Sequence, residues 1–206
     1  MAWKGLILMY DQIKQVGRDL FLQNAVSSHG GNISVRSGDR VLITRRGSMI
    51  HNLKDSDIIE TGLFKNDSGV VLASTELKVH REIYLQTTAL AIVHAHPVNA
   101  VALSLEQDEI IPVDSEGSYL LHKVPVVSAE HTVGSKEVMK EVPEYLKNYK
   151  IVMLRGHGSF AVGQMLEEAY QWTSSLETSA EIINTVKSSN IELKEYRKSS
   201  DKYSEW

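Results

Sequence analysis

At 206 residues, with 42% hydrophobic and 23% charged side chains, the chain has the size and composition of one compact globular domain, which sets disordered and fibrous classes aside. A net charge of −4 without any dense Lys/Arg block leaves no electrostatic footprint for nucleic acid, and no stretch reaches the ~18–20 consecutive apolar residues of a membrane span. The sequence has no cysteine, so disulfides and a thiolate nucleophile are excluded and any metal must be held by imidazole and carboxylate, which favours a catalytic over a structural site. Residues 1–9 lack the charged start and long apolar core of a secretory signal, so the cytoplasm is the expected compartment and a small molecule the expected ligand.

From residue 4 to about 24, Met9, Ile13, Val16 and Leu20 recur at helical spacing and predict an amphipathic helix covering a core. It ends before Ser27-Ser-His-Gly-Gly-Asn32, where consecutive glycines let main-chain N–H groups converge on an anion; a plain turn is the simpler reading of the same stretch. Residues 33–36 and 40–44 read as a β-hairpin, and 57–61 with 70–73 as a second. Between the pairs, Thr44-Arg-Arg-Gly-Ser48 places a hydroxyl and two guanidiniums in a turn able to hold a phosphate, or simply forms a solvated basic turn.

Ser74, Thr75 and Glu76 precede Leu77, His80 and Tyr84, which predict a helix to about residue 87 with the two hydroxyls where an N-cap belongs. The free N–H groups and positive dipole end of its first turn suit a phosphate, and the same dipole gives Glu76 an ordinary explanation. Next comes Leu90-Ala-Ile-Val-His-Ala-His-Pro97, an apolar run that predicts a buried strand. On a strand residues i and i+2 share a face, so His94 and His96 project side by side as two ligands for a borderline-soft ion. Two polar residues at a strand end is the plainer alternative.

A helix from residue 97 to about 106 is followed by an irregular stretch over 111–120 and a short strand over 124–127. Residues 134–149 read as a helical stretch interrupted at Pro143. A strand over 151–154 ends in Arg155-Gly-His-Gly158, whose glycines leave His157 room to point into a site from a turn. His157 is the third candidate ligand, far from the pair along the chain, so only the fold can unite them. After a strand over 160–163, Leu166, Tyr170, Thr173, Leu176, Ala180 and Ile183 stripe a long helix to about residue 187, and a charged tail occupies 190–206. Helices and strands alternate with hairpins, which predicts one α/β domain over 1–206 with a mixed sheet and helices on both faces.

Gly30-Gly-Asn-Ile-Ser34, Thr44 with its turn, Ser74-Thr-Glu76, His94-Ala-His-Pro97 and Gly156-His-Gly158 stand in the order and approximate spacing of a known family. Nearly the whole chain resembles the class II sugar-phosphate aldolases, typified by L-fuculose-1-phosphate aldolase and grouped with ribulose-phosphate 4-epimerases and adducin head domains. The resemblance implies a three-layer α/β/α domain with a central mixed, mostly antiparallel sheet, assembled as a homotetramer with active sites at subunit interfaces. It implies Zn2+, or another divalent transition metal, on His94, His96 and His157, with Glu76 as a movable fourth ligand and catalytic acid/base. It places a sugar phosphate's phosphate among Gly31, Asn32, Thr44, Arg45, Ser74 and Thr75. The implied reaction is reversible cleavage of a ketose 1-phosphate, such as L-fuculose 1-phosphate, to dihydroxyacetone phosphate and a short aldehyde such as lactaldehyde, through a metal-stabilised enediolate.

Arg45 and Arg46 depart from the small residues or proline that many relatives carry in that turn. An interface proton donor would come from the segment holding Asp114, Glu116 and Tyr119, and in relatives the tail, here with Tyr203 and Trp206, can help cover the site. A 4-epimerase or a methylthioribulose-phosphate dehydratase of the same superfamily would differ in those interface residues. A non-enzymatic adducin-like module would have no need of an open ligand set, and a zinc hydrolase would leave the anion sites at Asn32 and Ser74 without a purpose.

Overall fold

A computed structural model describes residues 2–189 and 192–194. The strand expected around the histidine pair, β4 (Ala91–Ala95), is buried at all five positions and lies mid-sheet, where cover on both faces accounts for its apolar residues and leaves His94 as the one polar side chain that must find partners. It pairs antiparallel with β1 (Asn32–Ser37) on one side and β8 (Gly158–Gly163) on the other. Beyond β1 lie β2 (Arg40–Thr44) and β3 (Ile58–Gly62). Beyond β8 lie β7 (Ile151–Leu154), β6 (Val124–Val127) and the two-residue β5 (Glu109–Ile110). The eight-stranded order is β3-β2-β1-β4-β8-β7-β6-β5, antiparallel throughout except between β6 and β7.

Helices cover both faces of this sheet. Ile13, Val16 and Leu20 of α1 (Ala2–Leu22), Ala100 and Leu103 of α3 (Val98–Ser104), Leu121 of α4 (Ser115–Leu121) and the stripe of α6 (Leu166–Ser188) pack on Ala91, Val93 and Ala95. Leu77, Val79, Ile83 and Tyr84 of α2 (Leu77–Gln86) and Val138, Val142 and Leu146 of α5 (Lys136–Leu146) pack on the opposite face with Ile92 and Phe160. Alternation along β4 puts His94 on the Ile92 face, the side covered by α2. The architecture is the expected three-layer α/β fold with a mixed, mostly antiparallel sheet. No helix among the described residues is long and apolar enough to cross a membrane.

Three local expectations are corrected. Residues 70–73 do not form a strand. Asp67 accepts hydrogen bonds from Gly69 N (3.0 Å) and Thr61 Oγ1 (2.7 Å), winding Ser68–Val71 into a 3-10 turn that leaves a single bridge from Ala73 to Arg45. The stretch 111–120 is not irregular throughout, because Asp114 caps α4 by accepting from Gly117 N at 2.7 Å. Pro143 does not interrupt α5; it joins the buried stripe of Val138, Val142 and Leu146, whose packing compensates for the one helical bond it cannot make. Strand β5 was too short for its periodicity to register. Tyr203 and Trp206, expected near the site, lie outside the described residues.

Candidate metal centre

The three histidines reach one point from two chain segments. His94 stands in register with Asn32 of β1 and Phe160 of β8, and its ring stacks on Phe160 at 4.1 Å. Its Nδ1 lies 2.9 Å from the Ser159 carbonyl. A carbonyl only accepts, so Nδ1 carries the proton and Nε2 presents a lone pair. His96, just past the end of β4, is held by its backbone N donating to Ala25 O at 2.8 Å, and its Nε2 lies 3.1 Å from His94 Nε2.

His157 comes from the turn between β7 and β8. Arg155 anchors that turn, donating to the carbonyls of Ser104 (2.5 Å) and Gln107 (3.1 Å) and pairing with Asp108 at 2.6 Å. A Cβ on Gly158 would stand 2.2 Å from Ala95 O and 2.6 Å from the His96 ring, so only glycine lets the turn come this close. The ring centroids of His94, His96 and His157 are 4.9 Å apart in each pair, and their ligand nitrogens all lie within 4.8 Å of one another.

Glu76, immediately before α2, is 2% exposed. Its Oε2 lies 3.0 Å from His94 Nε2 and accepts from Asn32 Nδ2 at 3.1 Å, while Oε1 is buried without a hydrogen-bond partner. Burial favours the neutral acid, but positive charge at His94 Nε2, whether a proton or a metal ion in its place, and the Asn32 amide outweigh it and hold the carboxyl well below the usual carboxylate range. Burial, reinforced by His94 and His157, pushes His96 down to about 3, and burial together with His94 lowers His157. Those two imidazoles are neutral at pH 7, the form that binds a metal.

His94 Nε2 thus faces a second imidazole nitrogen at 3.1 Å and a carboxylate oxygen at 3.0 Å. Ligand atoms about 2.0–2.1 Å from a tetrahedral ion stand about 3.3–3.4 Å from each other, close to the spacing seen here. Acceptors converging at this range repel unless a cation lies among them, so the set fits a divalent metal. Three imidazoles plus a carboxylate make the donor set of a site with an exchangeable position rather than a closed one.

Beside the histidines opens a pocket of about 200 Å³. Of the residues singled out from the sequence, Gly31, Asn32, Arg45, Ser74, Thr75, Glu76, His94, His96 and His157 line it. Thr44 does not: its Oγ1 accepts from Ile33 N at 3.2 Å and its carbonyl from Ser74 N at 3.1 Å, so it ties two pocket loops together from behind. Arg45 contributes to the wall, but its guanidinium is engaged by Asp57 at 2.7–2.8 Å. Ser74 Oγ accepts from Glu76 N at 3.2 Å in the turn before α2, but the N-cap position of α2 falls to Glu76, without a side-chain cap bond, and not to either hydroxyl as expected. His29, Arg46, Gly47, Ser48 and Val133 also line the pocket. Arg46 to Ser48 belong to the suspected turn; His29 and Val133 sit in loops whose sequence carries no periodic signal. Asp114, Glu116 and Tyr119 do not line it: Asp114 caps α4, Glu116 lies 3.5 Å from Ser175 Oγ, and Tyr119 is 46% exposed.

The sequence model of the family described as Class II Aldolase and Adducin N-terminal domain matches residues 11–183. The chain belongs to that family. Among class II aldolases it is similar to the L-fuculose phosphate aldolase of Methanocaldococcus jannaschii, 30% identical over 174 residues that cover 83% of this chain and 93% of that protein. The L-fuculose phosphate aldolase of Escherichia coli is 31% identical over 161 residues, covering 75% and 73%. The crystal structure of L-fuculose-1-phosphate aldolase from Thermus thermophilus superposes with a TM-score of 0.83 at 39% identity, covering 88% of this chain and 95% of that one.

Proposed function

We propose that this class II aldolase is zinc-dependent and reversibly cleaves a ketose 1-phosphate, such as L-fuculose 1-phosphate, to dihydroxyacetone phosphate and a short aldehyde such as lactaldehyde, acting in the cytoplasm as a homotetramer. The carrying observation is the convergence of His94, His96, His157 and Glu76 beside a pocket walled by main-chain amides and hydroxyls. The 39% identity to a fuculose-1-phosphate aldolase structure supports the sugar-phosphate class.

Gly31, Asn32, Ser74 and Thr75 bind the phosphate through N–H and hydroxyl donors, helped by the positive end of the α2 dipole. Thr44 acts indirectly, bracing the loops, Arg46 adds positive potential at the wall, and Arg45, its charge met by Asp57, shapes that wall. Anchoring the phosphate orients the carbonyl end of the substrate toward the histidines. A zinc ion on His94, His96 and His157 supplies, when bound, Lewis acidity to the carbonyl and adjacent hydroxyl oxygens of the ketose. Glu76 is the acid/base: ionised at rest, in cleavage it takes the proton of the carbon 3 hydroxyl and gives it to carbon 3 once the bond to carbon 4 has broken. The carbon 3 oxygen regains a proton from the group that takes the carbon 4 hydroxyl proton, and in synthesis these transfers run in reverse. The proton leaving the carbon 4 hydroxyl goes to a group of a neighbouring copy, drawn from Asp114, Glu116 and Tyr119.

The test incubates zinc-loaded protein separately with L-fuculose 1-phosphate and ribulose 5-phosphate. Dihydroxyacetone phosphate from the first and no xylulose 5-phosphate from the second supports the reading. Epimerised pentose phosphate, or no product from either, replaces it. Reconstitution with zinc, manganese or cobalt identifies the metal, and light scattering that gives a mass other than four chains removes the tetramer.

A further inference from the structure

Beneath the candidate centre lies a buried polar chain that the reaction described above does not use. Ser34 Oγ is 2.7 Å from His80 Nδ1 and 2.7 Å from Tyr84 OH, and all three residues are essentially inaccessible to solvent. Either hydroxyl could donate, but Ser34 is the hydrogen-bond partner that Tyr84 OH finds among the described residues, and a phenol that only accepted would leave its own O–H buried and unpaired, so the phenol is assigned as the donor to Ser34 Oγ. The serine hydrogen is thereby directed to His80 Nδ1, which must accept it. The proton of the neutral His80 ring then sits on Nε2.

That Nε2–H is a buried donor without an acceptor, and Glu76 Oε1 is a buried acceptor without a donor. The two residues are four apart at the start of α2, where His80 N donates to Glu76 O at 3.1 Å. Residues at this spacing are surface neighbours on a helix, and helical side chains lean toward the N-terminus, here toward Glu76. Unsatisfied buried polar groups are rare because each is costly, and two complementary ones on residues one helical turn apart point to a shared partner.

We infer that His80 is a positioning residue for Glu76, its Nε2–H serving Oε1 through one buried water while Oε2 faces His94 and Asn32, and directly when the carboxylate turns from them. Tyr84 and Ser34 set the tautomer that makes this donation possible. The inference rests on the reading of Glu76 as the acid/base. Burial keeps His80 neutral, pushing it down to about 3 against the opposing pull of Glu76, so the donor does not change across the working pH range. Orienting a reactive group through an outer hydrogen bond is worth about 10–100-fold in metal affinity or activity in comparable sites.

Nitrogen-15 spectroscopy of the imidazoles in the intact protein at neutral pH reads the tautomer of His80. An Nε2–H tautomer is expected, with Nδ1–H appearing in Tyr84→Phe; Nδ1–H in the unmodified protein overturns the proposal. In protein labelled at the glutamate carboxylates, the Glu76 resonance is expected to move in His80→Phe and to stay near its original position in His80→Gln, whose amide N–H replaces Nε2–H. A resonance unmoved in His80→Phe overturns the proposal whether or not the protein cleaves sugar phosphates, whereas lack of cleavage by the unmodified protein sinks only the aldolase reading. With cleavage established, kcat should fall about 10–100-fold in His80→Phe at unchanged KM and stay within about threefold in His80→Gln. Should His80→Phe fail to fold, the tautomer of the unmodified protein and of Tyr84→Phe still decides.

Discussion

His94 is constrained on a face and at both nitrogens, by Phe160 at 4.1 Å, the Ser159 carbonyl at 2.9 Å, and Glu76 Oε2 at 3.0 Å. Such constraint separates the effects of neighbouring substitutions. Glu76→Gln removes the base but leaves three imidazoles, so metal content should persist while kcat falls by about 10²–10⁴, measured by elemental analysis and steady-state kinetics on the same preparation. His94→Ala should lose the metal as well. Gly158→Ala tests shape without touching a ligand: its Cβ would press on Ala95 O at 2.2 Å and on the His96 ring at 2.6 Å. Metal affinity by competitive chelation should drop at least about tenfold, the usual scale for disturbing a ligand's support.

The elements are held in place by charged groups acting on main-chain ends. Glu177 of α6, 3% exposed, accepts from Asn99 N (3.0 Å) and Ala100 N (3.1 Å) at the start of α3, where Pro97 offers no capping side chain. Glu177→Ala would leave those amides buried and unpaired, costing about 2–3 kcal/mol, or about 4–12 °C in calorimetric Tm for a chain of this size. Asp57 secures the pocket turn in a similar way, accepting from Lys54 N at 3.0 Å and holding Arg45. Burial raises its pKa, but the Lys54 amide and Arg45 prevail and lower it below the ordinary value. A carboxyl whose folded pKa is depressed lends stability above its unfolded pKa, about 3.9, and loses it as pH falls through the folded value. Asp57→Asn should therefore unfold at lower urea than the parent at pH 7, and the gap should narrow as pH falls below the ordinary carboxylate range.

For the whole molecule the centre joins β4, the β7–β8 turn and the entry to α2, so metal binding and global stability are linked. Ion at about 100 times its dissociation constant adds about 2.7 kcal/mol to a fold that binds it only when native. Tm should rise on adding zinc, fall with chelator and stay level for His94→Ala under both conditions. A Tm of the parent indifferent to metal would count against a shared ion at these histidines.

Much of the fold was legible because period and composition act locally. The apolar run carrying His94 and His96 read as a buried strand, and the stripes of Ile13, Val16 and Leu20 and of Leu176, Ala180 and Ile183 as packed helix faces. Residues 70–73 misled because Asp67 controls that stretch through side-chain bonds that no periodicity reports. Glu177 was overlooked since a charged residue inside a helix stripe looks like a solvated one until its partner amides are known. The sequence by itself determined which side chains were able to ligate, and that His94 and His96 would share a strand end, since both follow from residue type and a two-residue repeat. Tertiary structure alone decided that His157 meets them, that Thr44 braces loops instead of lining the pocket, that Asp57 engages Arg45, and that Glu76 and His80 carry unmatched groups one turn apart. Those outcomes depend on strand register and helix docking, which bring together atoms that chain order keeps apart.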